Sequence, residues 1–197
     1  MDIAAIPTFF KGVRYRSRLE ANWAAFFHLA HWRFEYEPLD FYGWIPDFVL
    51  LGAKQKIWVE IKPALTYGDL LQSEDCNKAC DVMEGEQLHA DDEVLLLGAR
   101  IFPESETGLW AGDTLGVLGG VYYDDDKRAG VSWDAAALSW DKEDCILDFH
   151  HVTQSFTHRI SGNYDGDHHL HPVEGGAVAQ RNWLEAKNMV QWKGASS

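Results

Sequence analysis

The 197-residue chain has little cysteine, and Cys76, Cys80 and Cys145 are an odd number that cannot pair off into a disulfide framework. Cys76 and Cys80 stand four apart in a segment expected to be helical, so reduced, partly buried thiols are expected. No C-x-x-C is present, which removes the paired spacing usual in structural zinc sites. Long apolar runs are missing too. None approaches membrane-spanning length, and the opening MDIAAIPTFFKG lacks a basic segment followed by a long apolar stretch. The expectation is a soluble cytoplasmic protein with no membrane partner. Pro- or Ser-rich linkers and internal repeats are also absent, so the parts of the chain should pack together rather than swing freely.

What the chain has is core material: 46% hydrophobic residues, with nine Trp, ten Phe and seven Tyr. That composition excludes disorder apart from the polar tail after Lys193. A net charge of -14 argues against a polyanionic partner, but the charge is uneven. Residues 1–62 hold eight Lys/Arg against seven Asp/Glu, and residues 63–197 hold nine against twenty-four. Lys11, Arg14, Arg16 and Arg18 form a basic run, and Arg14, Arg16 and Arg18 are candidate phosphate contacts, with a solvated basic face as the alternative.

The stretch SRLEANWAAFFHLA places Leu19, Trp23, Phe26, Phe27 and Ala30 on one helical stripe. Ser17 and Glu20 have capping-box spacing, in which Glu20 reaches back to the Ser17 amide. FEYEPLDF reads as a strand, and PDFVLLGAKQKIWVEIKP reads as a hairpin with strands at 46–51 and 56–62. If Leu51 opposes Lys56, then Asp47 opposes Glu60, and Glu60 and Lys62 share a face while Ile57, Val59 and Ile61 take the other. Opposed carboxylates about 5 Å apart at Cβ require a compensating cation. Lys62 alone would make the group a structural ion-pair cluster. A divalent ion explains more, since Asp47, Glu60 and the Ile61 carbonyl offer hard oxygens suited to Mg²⁺ or Mn²⁺, with Lys62 beside the bound water. That chemistry is phosphodiester hydrolysis.

P-D-F at 46–48, E-I-K at 60–62 and a preceding helix with Glu20 after R-x-R-L resemble the PD-(D/E)xK nuclease superfamily. The segment is similar to transposon-end endonucleases and to small nucleases of phages or mobile elements. The resemblance implies an α/β restriction-endonuclease-like core of helix, three strands, helix and strand around a mixed sheet. Here those elements are expected from about 17, near 34–40, 46–51 and 56–62, within 73–85, and at 93–99. It implies a Mg²⁺-dependent endodeoxyribonuclease acting on DNA in a bacterium or infected host cell. Asp47, Glu60, Lys62 and Glu20 would be catalytic, and Glu20 is a further candidate ligand for the ion. No Q-x-x-x-Y element follows, so an exonuclease assignment has no support. The rival readings are a catalytically silent nuclease-fold binding protein (an acidic inhibitor or DNA mimic) and a nuclease subunit that engages a protein partner through its acidic second half.

The nuclease-like core is expected over 1–100, and an acidic β-rich extension over 101–197 is expected to pack on it and end in a helix. DTLGVLGGVYYDDD reads as two short strands around a glycine-containing turn, and VSWDAAALSW and DCILDFHHV read as further strands. The last helix should begin after Gly175 and Gly176, with Trp183, Leu184 and Val190 available for docking. His150, His151, His168, His169 and His171 read as polar segments rather than a zinc site, and Asp124, Asp125 and Asp126 as a turn. Trp110, Trp133 and Trp140 are expected to be core.

Overall fold

Two helices start where serine offers its hydroxyl to an exposed amide. Ser17 caps α1 (Arg18–Leu29), accepting from the Glu20 N–H, and Ser73 caps α3 (Glu74–Glu84), accepting from the Cys76 N–H. The computed structural model describes residues 5–191 apart from 42, 86–87, 90, 108–111, 125–126, 142–143, 153–156 and 165–171. Trp110, Asp125, Asp126, His168, His169 and His171 therefore lie outside the described residues.

A two-stranded ribbon, β1 (Thr8–Phe10) and β2 (Val13–Tyr15), precedes α1. Its strands are too short for an alternating pattern to announce them in the sequence. The remaining strands form one seven-stranded sheet in chain order: β3 (Phe34–Tyr36), β4 (Phe48–Leu51), β5 (Lys56–Ile61), β6 (Glu93–Leu97), β7 (Thr114–Asp124), β8 (Lys127–Asp141) and β9 (Ile146–His151). Only β5 and β6 pair in parallel, and α2 (Tyr67–Leu71) and α3 occupy that crossover. The protein is thus mixed α/β, and β7 continues the sheet directly from β6. Among the described residues no helix is long and apolar enough to cross a membrane.

Alternation along the strands sorts the core into two faces. Phe48, Leu50, Ile57, Val59, Leu95 and Phe149 meet α1 and α5 (Pro172–Val190), whereas Val49, Trp58, Val94 and Leu96 meet α2 and α3. The helix α1 is buried more widely than its predicted stripe, since Ala21, Ala24 and Ala25 are enclosed as well as Trp23, Phe26 and Phe27, and Trp23 packs on Trp183 of α5 at 4.4 Å. Each such side chain contributes about 1.5–3 kcal/mol. The Trp23 indole N–H is satisfied by the Gly98 carbonyl at 2.9 Å. Trp183 and Val190 dock as expected, but Leu184 stays exposed, and Ala179 and Ala186 take the buried positions.

Glycines account for two differences from the sequence reading. The β7 segment is one strand rather than two around a turn, and a side chain at Gly119 would overlap the Trp133 indole, so this glycine admits a neighbour. Likewise α5 starts at Pro172 and runs through Gly175, where a Cβ would lie 2.6 Å from the Ser139 amide, so the helix presses against β8.

The sheet is curled. Strands β6 and β9 are separated by β7 and β8, which in a flat sheet would hold them about 14 Å apart. Instead Glu93 of β6 meets His151 of β9 at 2.9 Å and Arg159, beyond β9, at 2.6 and 2.8 Å, all buried.

Candidate functional site

The hairpin has the expected register: Phe48 pairs with Val59 and Leu51 with Lys56. The regular ladder stops at Phe48, and at the next position the Asp47 side chain takes over, its Oδ2 accepting from the Ile61 N–H at 2.7 Å. Asp47 and Glu60 are buried at this end of the hairpin. Lys62 Nζ is 2.8 Å from Glu60 Oε1, and the Trp44 indole N–H donates to Glu60 Oε2 at 3.2 Å.

Arg16 does not stand on the surface with Arg14 and Arg18 alone; it turns into this cluster. Its Nη2 pairs with Asp47 Oδ1, and its Nε lies 2.9 Å from Glu37 Oε1 and 3.8 Å from Glu20 Oε2. Glu37 adopts a left-handed conformation with φ of 45°, which ends β3. Its N–H donates to the Asp47 carbonyl at 2.9 Å, so the strained residue ties β3 to the site and aims its carboxylate at Arg16.

Glu20 arrives from the first turn of α1. The Ser17 half of the capping box forms, at 3.1 Å, but Glu20 Oε2 accepts from the Arg16 amide at 3.1 Å rather than from the Ser17 amide. It also accepts from the Tyr36 hydroxyl at 2.6 Å. Burial and this bond to Glu20 raise the Tyr36 pKa above its ordinary value, so the phenol remains a donor. The Glu20 half of the capping box is therefore not formed, and its carboxylate serves the site and the backbone that leads into the helix.

Glu20, Asp47, Glu60 and Lys62 thus meet at one place, with Arg16, Glu37, Tyr36 and Trp44 around them. Sequence reasoning missed Tyr36, Glu37 and Trp44. Tyr36 had a signal in its alternation with Phe34, but Trp44 lies outside any strand and had none. Burial, then Glu60 and Glu20, push the Asp47 carboxyl up to about 7, against the opposing pull of the Ile61 N–H and Arg16.

Those groups comprise four carboxylates against two cations, an excess that one divalent ion would neutralise. No group of three or more His, Cys, Asp or Glu side chains among the described residues is arranged to hold a metal ion. Mg²⁺ needs fewer, because one or two carboxylates with retained waters suffice, and the Asp47 and Glu60 oxygens are hard donors of that kind. Each of those four oxygens already has a partner, the Ile61 N–H and Arg16 on Asp47 and Lys62 and Trp44 on Glu60, so an ion there would have to share or displace these.

Elsewhere, His150 is buried with no hydrogen-bond partner among the described residues at either ring nitrogen and stacks on His158 at 5.6 Å. Burial, then His158 and Arg159, lower its pKa to about 3. His151 is committed to Glu93 through Nε2. Cys76, Cys80 and Cys145 are not joined in a disulfide, and Cys80 Sγ accepts from the Trp133 indole N–H at 3.0 Å. Compared with known proteins, the chain matches no family model, no curated protein and no solved structure.

Proposed function

We propose that the protein is a Mg²⁺-dependent deoxyribonuclease of the PD-(D/E)xK kind, with a restriction-endonuclease-like core, cutting within DNA as part of a phage or mobile element. The observation that supports this most is the meeting of Asp47, Glu60 and Lys62 from two strands with Glu20 from α1, under enough mutual repulsion and burial to lift Asp47 to about 7. Asp47 and Glu60, with the Ile61 carbonyl, would hold the ion, which supplies Lewis-acid charge at the scissile phosphate. Lys62 keeps an ammonium donor beside Glu60, where it aims the attacking water. The water's oxygen bonds phosphorus as the opposite P–O bond breaks, and one of its protons passes through solvent to the departing oxygen. Glu20 holds the Arg16 amide and the Tyr36 hydroxyl, which fixes the mouth of the site.

The test is cleavage of linear, supercoiled, single-stranded and branched DNA with Mg²⁺ or Mn²⁺ and with chelator. Metal-dependent cutting by the wild type, lost in Lys62→Ala, is the expected result; equal cutting by Lys62→Ala would end the mechanism. For Glu20→Gln, the amide oxygen can still accept from the Arg16 amide and the Tyr36 hydroxyl but lacks the full charge. Its melting temperature should stay near wild type while cleavage falls at least tenfold, and unchanged cleavage would return Glu20 to a structural role.

One observation favours a second reading. Arg16 on Asp47 and Lys62 on Glu60 give each carboxylate its own cation, as a structural ion-pair cluster would. In that case the chain is a nuclease-fold binding protein whose acidic second half meets a basic partner, or a subunit that cuts only with its partner. Neither cleavage nor metal-dependent stabilisation in the isolated protein is the result that selects it.

A further inference from the structure

In a chain of net charge -14, residues 5–19 contain Lys11, Arg14, Arg16 and Arg18 and no Asp or Glu. Three of these, Lys11, Arg14 and Arg18, are exposed around the ribbon, while Arg16 enters the acidic site. Phe9 lies in the same basic patch, directly across the ribbon from Arg14, and is 68% exposed although its neighbours Phe10 and Tyr15 are buried. Alternation puts Phe9 and Arg14 on the outward face of the ribbon.

Beside them is a cleft of about 510 Å³ lined by Ile6, Pro7, Phe9, Arg18 and Met189 among others. Most of its lining residues are apolar, and Arg18 is among them. An apolar surface alone would accept any greasy partner. This one has Arg18 in its lining and Phe9 paired across the ribbon with Arg14, in a segment with no acidic residue that leads within two residues from Arg14 to Arg16 in the site. That combination complements an aromatic base attached to phosphates.

We propose that the β1–β2 ribbon seats an unpaired nucleotide, its base stacked on Phe9 in the cleft and the adjoining phosphates on Lys11, Arg14 and Arg18, so that the preferred substrate is DNA with a single-stranded segment. This rests on the DNA-cleaving reading for its substrate but not for its test. Stacking of a base on an aromatic ring tolerates any sequence, so the ribbon selects strand state rather than sequence.

The experiment measures binding of fluorescein-labelled oligo-dT by anisotropy, in chelator, over a range of salt. Wild type should bind with a marked salt dependence. Phe9→Ala should weaken binding at least fivefold and Phe9→Trp should preserve it, while Arg14→Gln with Arg18→Gln should flatten the salt slope. Equal binding by Phe9→Ala and wild type would overturn the proposal. So would a wild-type dimer in sedimentation that Phe9→Ala converts to monomer, since a second copy would then be what covers the cleft. Oligo-dT held through Phe9 by a protein that cuts no DNA would keep this proposal and remove the nuclease reading; metal-dependent cutting with Phe9→Ala binding like wild type would do the reverse.

Discussion

Asp47→Asn is expected to lower Mg²⁺-dependent cleavage at least a thousandfold and to abolish stabilisation by the metal. The native site concentrates Glu20, Glu37, Asp47 and Glu60 against Arg16 and Lys62, and Asp47 carries the strain, its carboxyl raised to about 7 by burial and by Glu60 and Glu20. An ion that binds only this arrangement stabilises the fold by mass action, by about 2.7 kcal/mol at a hundred times its dissociation constant. For a domain of this size that corresponds to a rise of about 5–11 °C in melting temperature. Asn has one acceptor oxygen where Asp47 meets two donors, the Ile61 N–H and Arg16, and it carries no charge for the ion. Thermal unfolding of both proteins in chelator and in millimolar Mg²⁺ measures the effect. A wild type indifferent to Mg²⁺ and Mn²⁺ would leave the three charges of the hairpin as a structural cluster.

Glu93→Ala should destabilise the protein by about 3–5 kcal/mol, because it takes the carboxylate from the buried Arg159 guanidinium and removes the partner of His151 Nε2. This group joins β6 to the segment after β9, so its loss should loosen the curl of the sheet rather than the hairpin. Acid should attack the same region. Although burial alone would raise the Glu93 pKa, His151 and Arg159 outweigh it and hold the pKa below its ordinary value. Its contribution is therefore present above the unfolded value and lost as pH falls through the folded one. His150, held neutral down to about pH 3, is protonated near 6.5 once unfolded, so stability drains away from about pH 6.5 downward. Between pH 7 and pH 5 that single group accounts for about 2 kcal/mol. Urea unfolding at the two pH values should show the loss in wild type and a smaller one in His150→Phe. Equal losses would mean that His150 finds a way to be charged in the folded state.

The hairpin was legible in the sequence because everything that fixes it is local. A four-residue loop sets Leu51 against Lys56, and alternation then decides which side chains share a face, so Asp47, Glu60 and Lys62 converge without reference to the rest of the chain. The core of α1 was legible for the same reason, as was the order α1, β3, β4, β5, α3, β6, whereas the short ribbon strands β1 and β2 and the five-residue α2 were not. The function of the second half was not, and its glycines misled: Gly119 and Gly175 look like turn formers, yet each stands where a neighbour, Trp133 or Ser139, presses too closely for a side chain. Such contacts join residues far apart in sequence and leave no periodic trace. The same applies to the polar partners. Arg16 is one of several arginines in a row, and only the placement of β3 and β4 beside the start of α1 turns it onto Asp47 and Glu37, with Tyr36 on Glu20. Glu93, His151 and Arg159 are unremarkable until the sheet curls and brings its sixth and ninth strands together. The sequence by itself determined which acidic residues, with Lys62, share the hairpin face; the tertiary structure alone decided that Arg16 and Trp44 meet them, because side chains from separate elements meet only after packing has fixed the distances between those elements.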